Sequence, residues 1–110
     1  MVLIKKSQVE SFKVDSATTI GRYGFSTKDY DLVEIIVDGV HGTMKNKKST
    51  KTYYITSGIG MFNVDDVEYK AEMGDIISVK PNAWLSIQGQ SLKALIITNP
   101  PFNTDDEEWK

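Results

Sequence analysis

His41 is the only histidine in this chain of 110 residues, and imidazole is the ordinary side chain that titrates near neutral pH. Such a group can take a proton from a substrate and return it, which is general acid–base chemistry. The chain has no cysteine, which excludes disulfides, thiolate metal sites and a thiol nucleophile. Because the absence of disulfides is typical of reducing compartments, we expect a cytoplasmic protein.

Lys51 and Tyr53 are the other groups with evident chemistry. Side chains alternate between the two faces of a strand, so Lys51, Tyr53 and Ile55 share one face and Tyr54 lies on the other. A tyrosine such as Tyr53 can act as an acid or donate a hydrogen bond to a ligand hydroxyl. We expect Tyr54 to serve in packing or at an interface.

The composition is that of a globular protein. Hydrophobic residues make up 40% of the chain, charged residues make up 25%, and the formal net charge is -2. The chain therefore lacks the excess of positive charge that nucleic-acid-binding proteins carry. The short apolar start of residues 1–6 does not have the order of a secretory signal, and no apolar run approaches the ~20 residues that span a bilayer. We predict one domain, residues 1–110, with no nucleic acid and no membrane partner.

Short strand-forming runs separated by turn residues fill most of the chain. Leu32–Val37 is rich in β-branched residues and is followed by Asp38-Gly39, which predicts a turn. The polar segment Asp15–Tyr30 predicts irregular structure, so Arg22 within it receives no role. Further strands are expected at 9–14, 40–44, 52–56, 60–64, 67–69, 76–79, 85–88 and 92–98.

Turn residues connect these runs at close intervals. Asp65-Asp66 predicts a two-residue hairpin, because aspartate tolerates left-handed conformations. Pro81 ends a strand, since it cannot donate to a ladder. Other turns are expected at 57–58, 74–75 and 89–91, and an extended surface segment after residue 100. Eight to ten short strands without helices predict an all-β, antiparallel jelly-roll β-barrel.

The stretch from Tyr53 to Trp84 resembles the core of the cupin superfamily. A Tyr-Tyr strand leads into a Gly-x-Gly turn and a hairpin, and Gly74-Asp75 then precedes Pro81. The similarity covers residues 33–102, and Pro100-Pro101-Phe102 resembles the end of small single-domain cupins. The resemblance implies a double-stranded β-helix and a small-molecule site inside it.

The resemblance also places the positions where metal-binding cupins hold a metal. Those cupins carry His-x-His, a Glu five residues later, and a final His after the proline. The matching positions here are Met44, Asn46, Lys51 and Leu85. None of the four is a usual ligand for a borderline divalent cation, and an ammonium group repels one. We therefore predict no bound metal and no cofactor.

The same alignment implies that Met44, Asn46, Lys51, Tyr53 and Leu85 line a ligand pocket, with Trp84 at its rim. A buried unpaired ammonium is costly, so Lys51 must find an acidic partner, lose its proton, reach solvent or meet an anionic ligand. We expect it to reach solvent at the barrel mouth. Trp84 is expected more as a packing or dimer contact than as a ligand-stacking ring.

Counting back from an inward Met44 places His41 on the outward face, unless a bulge shifts the register. On this basis the chain is predicted to be a metal-free cupin that binds a small polar molecule, such as a carbohydrate derivative. The alternative is a sugar-nucleotide epimerase or ketoisomerase, which needs a base such as His41 and an acid such as Tyr53 facing one cavity. A metal-dependent dioxygenase is disfavoured by the missing ligands.

The resemblance further implies a homodimer, because cupin-like barrels commonly pair through an edge strand or a sheet face. The strand at Val9–Val14 and the exposed apolar side of Leu92–Thr98 are the expected contact surfaces.

Overall fold

A computed structural model describes all of residues 1–110. It contains a single antiparallel sheet of eight strands and two short 3₁₀ turns, Lys6–Gln8 and Thr104–Asp106, and it has no α-helix. No helix in it is long and apolar enough to span a membrane. The strands are β1 Glu10–Lys13, β2 Thr18–Ser26, β3 Asp31–Asn46, β4 Thr50–Val64, β5 Val67–Glu72, β6 Ile76–Val79, β7 Leu85–Asn99 and β8 Glu107–Trp109.

The sheet has the hydrogen-bonded order β1-β2-β3-β7-β4-β5, with β6 also paired to β4 and β8 also paired to β3. The order is open, and β1 and β5 lie at its two ends. This arrangement of antiparallel strands is the predicted jelly roll.

Three long strands fold the sheet over on itself. Tyr53 and Phe62 both belong to β4, nine residues apart, which would separate them by about 30 Å along a straight strand. Their ring centroids are 5.2 Å apart in an edge-to-face contact. The strand therefore bends sharply, and its two halves enclose one hydrophobic core that includes Ile35, Ile55 and Leu92.

The bends occur where the sequence had predicted turns. Asp38-Gly39, Ser57-Gly58 and Gly89-Gln90-Ser91 do not reverse the chain but lie inside β3, β4 and β7, at shifts in pairing register. At Gly58 φ is +74°, and an added Cβ would collide with the Ser91 backbone. Residues that permit a positive φ serve a bulge as well as a turn, so local pattern did not distinguish the two.

The remaining turn predictions are confirmed. Asp65 and Asp66 form the two-residue hairpin between β4 and β5, with φ of 48° and 67°. Gly74-Asp75 leads into β6, and Pro81 follows its end.

The prediction of irregular structure at 15–30 is wrong, because β2 occupies Thr18–Ser26. Its polar, glycine-containing sequence forms a strand because β1 and β3 pair with it on both sides. Strand propensity depends strongly on such neighbours.

Candidate ligand cavity

A cavity of about 730 Å³ opens between β3, the first half of β4, the end of β7, strands β1 and β2, and the C-terminal segment. Its walls are mostly hydrophobic with a few polar side chains, and its size is that of a small-molecule site. Of the residues that the sequence suggested for a ligand pocket, Met44, Lys51 and Tyr53 lie in its lining.

His41 also lines this cavity, which contradicts its predicted outward orientation. Only 6% of the residue is exposed. Between His41 and Met44, three residues of β3 span the length of two residues of β7, Ile87 to Leu85. This bulge brings two residues of unlike parity to the same face.

The imidazole of His41 is held in one tautomer. Its Nδ1 lies 2.7 Å from the Gly42 carbonyl oxygen, which can only accept, so Nδ1 carries the proton and Nε2 keeps a lone pair. Burial lowers the pKa of His41, although the Gly42 carbonyl and the Asp15 carboxylate favour the charged form. The Trp109 ring lies 5.5 Å from the imidazole, centroid to centroid. Because its pKa is lowered, the His41 imidazole is a neutral base near pH 7.

Lys51 pairs with Glu107, at 3.3 Å between Nζ and Oε2, and each side chain is only 14% exposed. The prediction that Lys51 reaches solvent is wrong, because the C-terminal segment folds back and supplies the acidic partner. Burial and the nearby Glu107 carboxylate raise the pKa of Tyr53 far above its ordinary value. Tyr53 therefore remains a neutral hydrogen-bond donor at any physiological pH.

Four polar residues form a row across one wall of the cavity. Ser26 is paired with Asp31, Asp31 with Thr98, and Thr98 with Lys51, on four neighbouring strands. Directly paired residues present their side chains to the same face, and all four line the cavity. The row is a candidate surface for hydrogen bonds to a ligand.

The sequence had suggested no role for Arg22 or for the C-terminal Trp109, yet both line the cavity. The Arg22 guanidinium lies 4.9 Å from the Phe12 ring centroid and 5.4 Å from that of Phe102. The strand that carries Trp109 has only three residues, which are too few for alternation to predict it from the sequence.

No family model matches the chain, and no curated protein matches it by sequence. A tyrosine-to-phenylalanine variant of Streptomyces Pac13, solved with uridine, has a TM-score of 0.92 at 26% identity, over 100% of this chain and 90% of that chain. Pac13 is described as a nucleoside dehydratase, and a histidine-to-glutamine variant was also solved with uridine.

Two further solved structures share the fold at lower identity. KdgF from Halomonas has a TM-score of 0.83 at 11% identity, over 96% of this chain and 97% of that chain. An RmlC-like cupin from Shewanella frigidimarina has a TM-score of 0.74 at 22% identity, over 92% and 91%. The chain has the cupin fold.

In this chain, the four positions that align with the metal ligands of metal-binding cupins do not form a metal site. Met44 and Leu85 are buried opposite each other on β3 and β7. The Asn46 amide donates to the Asp106 carboxylate at 3.1 Å, and Lys51 is paired as described. No group of three or more His, Cys, Asp or Glu side chains is arranged to hold a metal ion.

Three of the predicted pocket residues lie outside the cavity lining. Asn46 is buried against the C-terminal segment, and Leu85 belongs to the hydrophobic core. Trp84 lies beneath the ammonium groups of Lys45 and Lys110, at 4.7 and 5.0 Å from its ring. The resemblance aligned these positions along the chain, but the C-terminal segment covers Asn46, Leu85 packs in the core, and two lysine side chains lie over Trp84.

Proposed function

We propose that this cupin binds a nucleoside or a similar sugar derivative in the cavity and eliminates water from it without a metal. The observation that carries the proposal is the placement of His41, with a free Nε2, on the same cavity as Tyr53 and the Lys51–Glu107 pair. Pac13 supports the proposal through its dehydratase activity and its uridine complexes. It too was studied with a histidine and with tyrosines replaced.

The proposed step uses one base twice. His41 Nε2 takes a proton from a sugar carbon that an adjacent carbonyl group acidifies, and the electron pair of that C–H bond becomes the new C=C bond. The neighbouring C–O bond breaks, and the hydroxyl leaves as water with the proton returned by the imidazolium. The Lys51 ammonium stabilises the negative charge that develops between the two events. Tyr53 donates a hydrogen bond but keeps its proton, because its raised pKa disfavours the phenolate.

The test separates binding from chemistry. Uridine serves as a binding probe in a thermal shift, where a ligand at ~100 times its dissociation constant stabilises by about 2.7 kcal/mol. A nucleoside with an oxidised sugar serves as substrate in deuterated water, with water loss followed by mass spectrometry. We expect His41→Gln to bind uridine and to lose elimination, and Tyr53→Phe to weaken binding. Tyr54→Phe, on the outer face, is the matched control and should change neither.

The sugar-nucleotide epimerase or ketoisomerase remains the second candidate, because it needs the same base facing the same cavity. Incorporation of solvent deuterium into an isomeric product, without loss of water, would favour it over the dehydratase. Binding without any proton exchange across a panel of oxidised sugars would leave a ligand-binding cupin and contradict both enzymes.

A further inference from the structure

One oxygen of Asp31 has no partner, although it is buried in the cavity wall. Asp31 is 8% exposed, and its Oδ2 accepts a hydrogen bond from the Phe102 backbone N–H at 2.7 Å. The other oxygen, Oδ1, is inaccessible to solvent and receives no hydrogen bond. Since buried polar atoms are nearly always paired, this oxygen is left for a donor that a ligand supplies once the Asp31 side chain turns toward the cavity.

The neighbours of Asp31 extend this acceptor into a pattern. Ser26 and Thr98 flank it on the adjacent strands, about 4.8 Å away on either side. Both carry rotatable hydroxyl groups, and both line the cavity. The Ser26 hydroxyl donates to the Thr27 carbonyl oxygen at 3.3 Å, a long hydrogen bond that rotation toward a ligand oxygen would replace. The wall therefore offers donor, acceptor and donor in order. The edge of a uracil ring offers the complement, with a carbonyl oxygen, an imide N–H and a second carbonyl oxygen.

Flat surfaces suited to a ring surround the same part of the cavity. Phe12, Phe25 and Phe102 line it, and the Arg22 guanidinium lies over two of these rings. Aromatic rings and the guanidinium plane are the usual stacking surfaces for nucleobases, whose edges are then read by hydrogen bonds. Lys51 follows Thr98 at the end of the polar row, and His41 lines the same cavity ten residues after Asp31 on β3.

We propose that Ser26, Asp31 and Thr98 form a base-recognition subsite that selects a uracil-type imide over cytosine. The Asp31 side chain turns Oδ1 toward the ligand to accept the imide N–H, and the two hydroxyls donate to the flanking carbonyl oxygens. Cytosine presents a lone pair at the position of the imide N–H, which the carboxylate repels. The assignment rests on the proposed nucleoside ligand but does not depend on any reaction.

The experiment measures dissociation constants for uridine, cytidine and 3-methyluridine by calorimetry. The native chain should bind uridine about tenfold or more tightly than the other two, since a hydrogen bond to a charged group is lost. Asp31→Asn keeps an acceptor for the Phe102 N–H and turns an amide donor to the cavity. The Asp31→Asn variant should bind uridine about tenfold more weakly, and its preference for uridine over cytidine should become smaller or reverse. Asp29→Asn, exposed and outside the lining, is the matched control and should bind as the native chain does.

Equal binding of uridine and 3-methyluridine by the native chain would overturn the subsite, and that comparison needs no variant to fold. Unchanged uridine affinity in a folded Asp31→Asn would overturn it as well, while leaving the proposed function intact. If the native chain binds none of the three nucleosides, the proposed function and the subsite both fail.

Discussion

The imidazole of His41 is prepared for proton transfer by its own neighbour in the chain. The Gly42 carbonyl fixes the tautomer, and burial keeps the ring neutral. An imidazole that is already neutral at pH 7 can accept a proton from a substrate without first losing one. The nearby Lys51–Glu107 pair supplies a charge close to it, so the reactive groups occupy one region of the wall.

The lowered pKa of His41 predicts a pH dependence of both activity and stability. Elimination needs the neutral base, so kcat/KM should rise with pH along one limb whose midpoint lies below the ordinary value of 6.5. In the same range the unfolded chain binds a proton that the folded chain does not. Stability should therefore decrease as the pH falls below 6.5, by at most about 1.4 kcal/mol per pH unit. Urea titrations at several pH values would measure it.

His41→Gln is the control for that slope, because it cannot be protonated. The slope between pH 5 and about 7 should disappear in the variant. A pH profile of kcat/KM with its midpoint above 6.5, or an unchanged pH dependence of stability in His41→Gln, would contradict the assignment of the base.

The Lys51–Glu107 pair predicts a non-additive result in a double-mutant cycle. Glu107→Gln leaves a buried ammonium without its counter-charge, and Lys51→Met leaves a carboxylate in the same condition. Each single variant should lose on the order of 1–3 kcal/mol of unfolding free energy. The double variant should lose less than the sum, because no charge is left unpaired. Additive losses, measured by chemical denaturation, would show that the two groups do not interact.

The C-terminal segment is the element that completes the cavity. Strand β8 pairs with Met44–Asn46 of β3 and brings Glu107 and Trp109 to the wall. The Asp106 carboxylate fastens this segment by accepting hydrogen bonds from the Asn46 amide and from the backbone N–H groups of Lys48 and Ser49. Burial alone would raise the pKa of Asp106, but these hydrogen bonds outweigh it and hold the pKa below its ordinary value.

Asp106→Ala should therefore release the segment. We expect a loss of about 2 kcal/mol or more in unfolding free energy, together with weaker uridine binding, because three donors lose one charged acceptor. Asp105→Ala changes the exposed neighbour and should alter neither property. Equal losses in the two variants would mean that the negative charge of the segment, and not the buried hydrogen bonds of Asp106, holds it in place.

A composition rich in Asp and Glu gave the segment the appearance of a solvated surface tail. Only three of its residues line the cavity, Phe102, Glu107 and Trp109, and the last two belong to a three-residue strand that is too short for periodicity to reveal. Likewise β2 is polar on much of its length, and only pairing with β1 and β3 makes it a strand. The hairpin at Asp65-Asp66 was predictable because its backbone requirement is local.

At the scale of the whole molecule, one folded sheet has two unlike surfaces. The inner surface holds the core and the cavity, whereas the outer surface of β4, β6 and β7 exposes an apolar patch. This outer patch consists of Tyr54, Ile76 and Ile97, which are 47%, 67% and 42% exposed. Tyr54 is paired with Ile76, and the neighbouring Thr52 with Ile97, so the three are adjacent.

We propose the outer patch as the contact of a homodimer, which includes the predicted side of Leu92–Thr98. Sedimentation should give twice the mass of the chain at micromolar concentration, and Ile76→Lys should shift it to the monomer by placing a charge in an apolar contact. Met73→Lys, 72% exposed in the turn before β6, is the control and should remain dimeric. A native monomer at all accessible concentrations would contradict the proposal.

By itself the sequence determined the all-β character, the hairpin at Asp65-Asp66, the strand end at Pro81 and the absence of the usual cupin metal ligands. These depend on residue type and on conformations of adjacent residues, which are local. Only the tertiary structure decided that His41 faces the cavity, that Lys51 meets Glu107, and that Asp31 keeps an unpaired oxygen. Each of these depends on a one-residue bulge or on contacts between residues far apart in the chain, and a shift of one residue reverses every side chain of a strand.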